Sequence, residues 1–172
     1  MQLDLSIFSP KARSLIGVDI SSSAVKMVEL ANDGKGGYRV ERYAIEVLPR
    51  DAVTDGNIVN LEAAAEAVRR AWKRLATSTR SVAIALPTSH VITKKIIVAA
   101  GLREQELELQ VESEANQYIP FALEEVNLDF QIVGPAPSSP DEIEVLIAAS
   151  RKEKVEDRVA VVESAGLKAV VM

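Results

Sequence analysis

Three strand-like runs follow one another before anything helical begins, and this order restricts the fold more than any other feature of the chain. Ile16-Gly-Val-Asp-Ile-Ser-Ser-Ser-Ala-Val-Lys-Met-Val-Glu-Leu30 reads as two short strands, about 15–20 and 24–30, joined by a tight polar turn. A third run, about 38–48, follows Asn32-Asp-Gly-Lys-Gly-Gly37. Those glycines lack the strand-loop-helix context of a phosphate-binding P-loop and form a hairpin turn. Strands joined by such short connections must pair antiparallel, so the chain opens with a meander.

The first turn carries candidate chemistry. The Asp-x-Ser-Ser-Ser connection leaves several backbone N–H groups without ladder partners, and such groups form anion-binding nests. Asp19 stands beside that nest, where a carboxylate holds hydrated magnesium through water. An equally consistent reading is a Ser-rich hairpin whose hydroxyls satisfy the turn and whose Asp19 caps it. Lys26, on the strand after the turn, either points toward a phosphate or is an exposed strand lysine.

Beyond the meander the period changes. Ile58, Leu61, Ala65, Val68, Trp72 and Leu75 recur at three- and four-residue spacing, which predicts a helix capped by Asp55 or Asn57, with Lys73 and Arg74 in its last turns and Trp72 in the core. Ser81-Val-Ala-Ile-Ala-Leu86 is a continuous apolar run ended by Pro87, the pattern of a strand covered on both faces. Then come a strand at 91–98, a helix at 102–119 ended by Pro120, and strands at 126–133 and 142–149. Gly134-Pro-Ala-Pro-Ser-Ser-Pro140 is too rich in proline for a strand and reads as an exposed loop. A helix at 151–165 with Val155, Val159 and Val162 inward, ended by Gly166, leads to a strand at 167–172. The α/β (α+β) class follows, divided into an arm at 1–14, a subdomain at 15–87, a module at 88–150 and a return to the subdomain at 151–172.

Composition narrows the function classes. The 172 residues are 48% hydrophobic and 26% charged, the profile of a globular protein with a sizeable core. A formal net charge of −5, with no Lys/Arg run longer than two, gives no footprint for nucleic acid or anionic lipid. No window approaches the roughly 18 apolar residues of a membrane span. Asp4 stands where a signal peptide carries positive charge, so the expected location is cytoplasmic. Cysteine is absent, which removes thiolate metal sites and cysteine nucleophiles. His90 is the only histidine and is expected in a surface or loop position. Glu104, Glu106, Glu108, Glu112 and Glu114 mark a solvated helix face opposite Leu107, Val111, Ala115 and Tyr118 rather than acid/base pairs.

Two segments carry a family resemblance. Gly17-x-Asp19-x-Ser-Ser-Ser-Ala-Val-Lys-x-Val-Glu29 resembles the first phosphate motif of the actin-like ATPase superfamily, in the branch that holds the FtsA and PilM families. Glu112-Ser-Glu-Ala-Asn-Gln-Tyr-Ile-Pro-Phe-Ala-Leu-Glu-Glu-Val-Asn-Leu-Asp-Phe130 resembles a signature of the PilM family of type IV pilus assembly. Where the family often has glycine this chain has Ser21, whose Cβ would be strained at a positive φ.

That resemblance implies the first lobe of an actin-like (RNase H-like) ATPase fold with an inserted strand-helix-strand-strand module. It implies ATP and Mg2+ held by Asp19, Ser21, Ser22, Ser23 and Lys26, with Asp19 toward the metal. The expected role is a cytoplasmic adaptor at the inner membrane rather than an enzyme, with no direct insertion in the membrane. Its partners would be the N-terminal peptide of a PilN-like membrane protein, pilus motor ATPases and further copies of itself. Leu86, Pro87, Ile96, Val98, Leu102, Leu107 and Val111 would line a peptide groove, or equally would pack the module against the subdomain. The alternatives are an FtsA-like filament-forming ATPase or an actin-superfamily kinase, which needs a catalytic carboxylate. The second phosphate motif and the second lobe of the superfamily are expected beyond Met172, which makes this chain the N-terminal half of its protein.

Overall fold

The computed structural model describes residues 15–172, so the arm expected at 1–14 lies outside the described residues. Residues 15–85 with 159–172 form one compact unit and 86–158 a second. The first unit runs through β1 (Ile16–Ile20), β2 (Ala24–Asn32), β3 (Tyr38–Val47), β4 (Val53–Thr54), β5 (Asn57–Ile58), α1 (Leu61–Leu75) and β6 (Ser81–Ile84). The second holds β7 (Ile92–Ala99), α2 (Glu104–Tyr118), β8 (Val126–Ala136) and β9 (Ser139–Arg151). The chain leaves it within α3 (Lys152–Ser164) and ends in the first unit with β10 (Lys168–Val171). The expected module of 88–150 therefore compares with a unit that also takes the first turns of α3.

In the first unit five strands lie in the order β10-β6-β1-β2-β3. The expected meander is there, with β1, β2 and β3 paired antiparallel, while β6 joins β1 and β10 joins β6 in parallel. Strand alternation sends Ile16, Val18, Ile20, Val25, Met27, Val82 and Ile84 to one face, in one core with Ala64, Val68, Ala71 and Leu75 of α1 and Val161 and Val162 of α3. Ile16, Val25, Val68 and Val82 are wholly buried, and each such side chain contributes about 1.5–3 kcal/mol relative to exposure. Trp72 packs against this core, donates Nε1–H to the Thr79 carbonyl at 3.0 Å and carries Arg80 on its ring at 4.8 Å.

The cap of α1 differs from expectation. Asn60 caps it, its side chain accepting from the Ala63 amide at 3.0 Å. Asp55 and Gly56, both at positive φ, instead make the two-residue turn of the β4–β5 ribbon, and Asn57 and Ile58 lie in that ribbon. At the other end Ala76 adopts φ 53° where glycine is the usual residue.

The module is a three-stranded antiparallel sheet in the order β7-β9-β8 with α2 on one face. Leu107, Val111 and Ala115 point inward as expected, but Tyr118 is 47% exposed, with Lys94 Nζ 4.5 Å from its ring centroid, and Ile119 takes the inner position. The proline-rich segment is another correction. Strand β8 continues to Ala136 and β9 starts at Ser139, leaving only Pro137 and Ser138 as a turn. Strand β8 is an edge strand, and a proline there removes no hydrogen bond the sheet needs. In α3 the fully buried valines are Val161 and Val162, while Val155 and Val159 are half-buried. No helix among the described residues is long and apolar enough to cross a membrane.

Candidate functional site

The turn between β1 and β2 closes on itself through one serine. Ser21 donates its amide to the Ala24 carbonyl at 3.0 Å, and its hydroxyl donates to the same oxygen at 2.9 Å. The Ala24 amide returns a bond to Ser21 Oγ at 3.3 Å. Ser21 therefore fills the hairpin-closing role, and it is not among the residues at positive φ. The Leu48 amide donates to the Ser23 carbonyl at 2.9 Å, tying the tip to the end of β3. Ser22 and Ser23 are exposed, and among the described residues their amides have no hydrogen-bond partner. The turn thus presents two amides and two hydroxyls to solvent, while Ser21, expected beside them at the phosphate, has its amide engaged in closing the turn.

Asp19 and Lys26 are opposite each other in the β1–β2 register, on the sheet face away from α1. Lys26 Nζ lies 3.1 Å from Asp19 Oδ2, with the side chains 55% and 61% exposed. A surface pair of this kind contributes at most about 1 kcal/mol to stability. Its geometric effect is larger, since it holds the carboxylate beside a hollow lined by Gly17, Val28, Ala83 and Ala85.

Glu29, the last residue of the first motif, was given no role by sequence reasoning. It is 4% exposed and accepts from Arg42 Nη1 at 3.0 Å, Thr79 Oγ1 at 2.8 Å and Thr77 Oγ1 at 3.2 Å. A buried carboxylate requires such donors, and here they fix the segment between α1 and β6 to the meander. No local spacing reveals this, because the partners stand 13 to 50 residues away.

In the module, four of the seven expected groove residues are closed inside. Ile96, Val98, Leu107 and Val111 are 7%, 3%, 5% and 1% exposed and share one core with Val126, Val145, Ile147 and Ala149. Leu102 packs partly against that core. Only Leu86 and Pro87, both half-buried, lie outside it. These four residues therefore offer no surface to a partner, which corrects the expected groove. His90 sits in a short 3-10 turn at 88–90, half-buried.

With this geometry the chain is similar to known structures. It superposes on a solved PilM-PilN type IV pilus biogenesis complex with a TM-score of 0.82 at 29% identity, over 95% of this chain and 47% of that one. The chain thus spans about half the length of that relative. The cytoplasmic domain of EpsL, an inner-membrane component of the type II secretion system of Vibrio cholerae, matches at TM-score 0.56 and 13% identity, over 91% of this chain and 55% of that one, which shows a shared fold. The architecture is that of an actin-like ATPase lobe carrying an inserted module. Residues 17–172, nearly all that the structure describes, match the family described as type IV pilus assembly protein PilM, and the chain belongs to that family.

Proposed function

We propose that the full-length protein is an ATP-binding adaptor of type IV pilus assembly. It captures the cytoplasmic N-terminal peptide of a PilN-like membrane protein and couples it to pilus motor ATPases on the cytoplasmic face of the inner membrane. The observation that carries this reading is the likeness to the PilM-PilN complex across 95% of the chain. Family membership over 17–172 supports it.

Nucleotide enters at the β1–β2 turn. The exposed amides of Ser22 and Ser23 would receive phosphate oxygens, and Asp19 would hold magnesium through its water shell, which is the chemistry that oxygen-only ligands suit. Lys26 keeps Asp19 in place and supplies a positive charge at the same edge. Ser21 closes the turn, with its amide already given to the Ala24 carbonyl, and so supports the site without contacting the phosphate. Leu86, Pro87 and Leu102 remain as contacts from the groove expected in the sequence. ATP binding, rather than turnover, sets the adaptor's conformation, and self-association accompanies assembly.

Capture of the PilN-like partner by the full-length protein tests the reading. Co-purification is expected with the complete partner and lost when its N-terminal cytoplasmic segment is deleted. Filaments formed with ATP in the absence of any partner, or rapid phosphate release, would favour the FtsA-like or kinase alternatives and overturn the adaptor reading.

A further inference from the structure

Strand β3 closes one side of the five-stranded sheet, and its outer edge meets no other strand among the described residues. Tyr38, Val40, Tyr43, Ile45 and Val47 are each at least half exposed. In the β2–β3 register Glu29 is opposite Arg42 and Leu30 is opposite Val40, so Glu41 is the extra residue of a bulge. The bulge keeps all five apolar residues on the face away from α1, with Val28 and Leu30 beside them. Arg39, Arg42 and Glu46 turn to the opposite face. Because Leu48 donates its amide inward to Ser23, strand alternation turns the backbone groups of Tyr43, Ile45 and Val47 outward. A ten-residue apolar edge without proline or lysine is a template for a further strand.

We propose that this edge pairs with the same edge of a second copy, β3 against β3 in antiparallel, about a two-fold axis between Glu41 and Arg42. The inference rests on the self-association included in the adaptor reading and names its surface. The sequence of the strand is complementary to itself in one register. Val40 of one copy stands opposite Tyr43 of the other, Tyr38 opposite Ile45, and Glu41 opposite Arg42, each pair occurring twice by symmetry. Apolar residues thus meet apolar ones on one face and opposite charges meet on the other, the pairings that stabilise neighbouring strands. Moving the register by two residues sets Arg42 of one copy opposite Tyr43 of the other and mixes the faces, so the two bulges must meet at the axis. One acceptor on this edge is already used, since Arg74 Nη1 donates to the Ile45 carbonyl at 2.8 Å. Arg74 also meets Glu46 at 3.1 Å, and it keeps that partner when strand pairing displaces it. Two-fold pairing consumes the edge of both copies, so assembly stops at a dimer and builds no filament.

Sedimentation of the full-length protein over a range of concentrations tests this, beside cysteine cross-linking. The parent is expected to show a reversible monomer–dimer equilibrium. Tyr43→Lys and Val40→Lys place a charge on exposed positions, and each is expected to weaken the dimer ten-fold or more while leaving the melting temperature of the monomer unchanged. The 172 residues contain no cysteine. Directly opposed residues of an antiparallel pair stand about 5.5 Å apart at Cα, within reach of a disulfide. The double variant Val40→Cys with Tyr43→Cys is therefore expected to cross-link position 40 of one copy to position 43 of the other, as mass spectrometry identifies, and Val40→Cys with Val47→Cys to remain uncross-linked. A dimer that survives both lysine variants without the 40–43 cross-link overturns the proposed edge and leaves self-association standing. A parent that stays monomeric up to about 100 μM, where weak complexes register, overturns the edge and self-association together, while capture of the PilN-like partner remains a separate result. Lysine variants that lose the partner peptide but still dimerise show the edge to be a peptide site and overturn the pairing of copies.

Discussion

Glu29 is the residue whose role depends most on neighbours that no local pattern identifies. Its carboxylate gathers Arg42, Thr77 and Thr79 in a buried position. Glu29→Ala removes the acceptor for all three, and a loss of about 2–4 kcal/mol is expected in chemical denaturation. Ala76 offers the opposite change. It is exposed and ends α1 at φ 53°, so Ala76→Gly relieves a left-handed Cβ and is expected to stabilise by about 0.5–1 kcal/mol. Asp19 separates binding from stability. Because its pair with Lys26 is exposed, Asp19→Asn should shift stability by less than about 1 kcal/mol. Affinity of the full-length protein for ATP with magnesium should nevertheless fall, as a binding titration would measure. A destabilised Asp19→Asn with unchanged nucleotide affinity would make Asp19 a structural turn residue only.

At the scale of elements, what the sequence revealed depended on whether the cause was local. The meander was legible because short polar turns between strand-like runs force antiparallel pairing, whereas the apolar run of β6, expected to be covered on both faces, buries only Val82 and Ile84 and leaves Ala83 and Ala85 on the open hollow. The hairpin that absorbed Pro135 was not legible, since proline is excluded only from strands whose amide the sheet requires, and edge position is a tertiary fact. The cap of α1 was misplaced because the Asp55-Gly56 turn and the Asn60 cap use the same residue types a few positions apart.

Module helix α2 supplies a sharper test. Leu107 is 5% exposed inside the module core, so Leu107→Asp is expected to unfold the module cooperatively, whereas an exposed groove residue would tolerate the charge. Loss of the module's β-sheet circular dichroism in that variant would check it. At the start of α3, the hydrogen bond from Lys154, aided by the charges of Arg151 and Lys154, lowers the pKa of Glu153. A lowered carboxylate contributes stability above its unfolded pKa and loses it as pH falls through the folded one. Glu153→Gln should therefore flatten any acid-side loss of stability that arises here, and only slightly, because the group is exposed.

For the whole molecule, fold and family were legible together because the two motifs sit in different units, one in the β1–β2 turn and one running from α2 into β8. The site was less legible. Apolar periodicity marks Ile96, Val98, Leu107 and Val111 as buried without saying that their own module buries them. Phosphate groups held by the β1–β2 turn alone stay solvated, so the 172-residue chain is expected to bind ATP more weakly than the full-length protein. Micromolar affinity in the shorter chain would contradict that.

The adaptor role proposed for the full-length protein stands or falls with its capture of a peptide. Calorimetric titration of the full-length protein with the N-terminal cytoplasmic peptide of its PilN-like partner measures it most directly. Saturable one-to-one binding is the expected result, with a negative heat-capacity change from apolar burial. Absence of binding, at protein and peptide concentrations of hundreds of micromolar on the order where weak transient complexes register, would contradict the account.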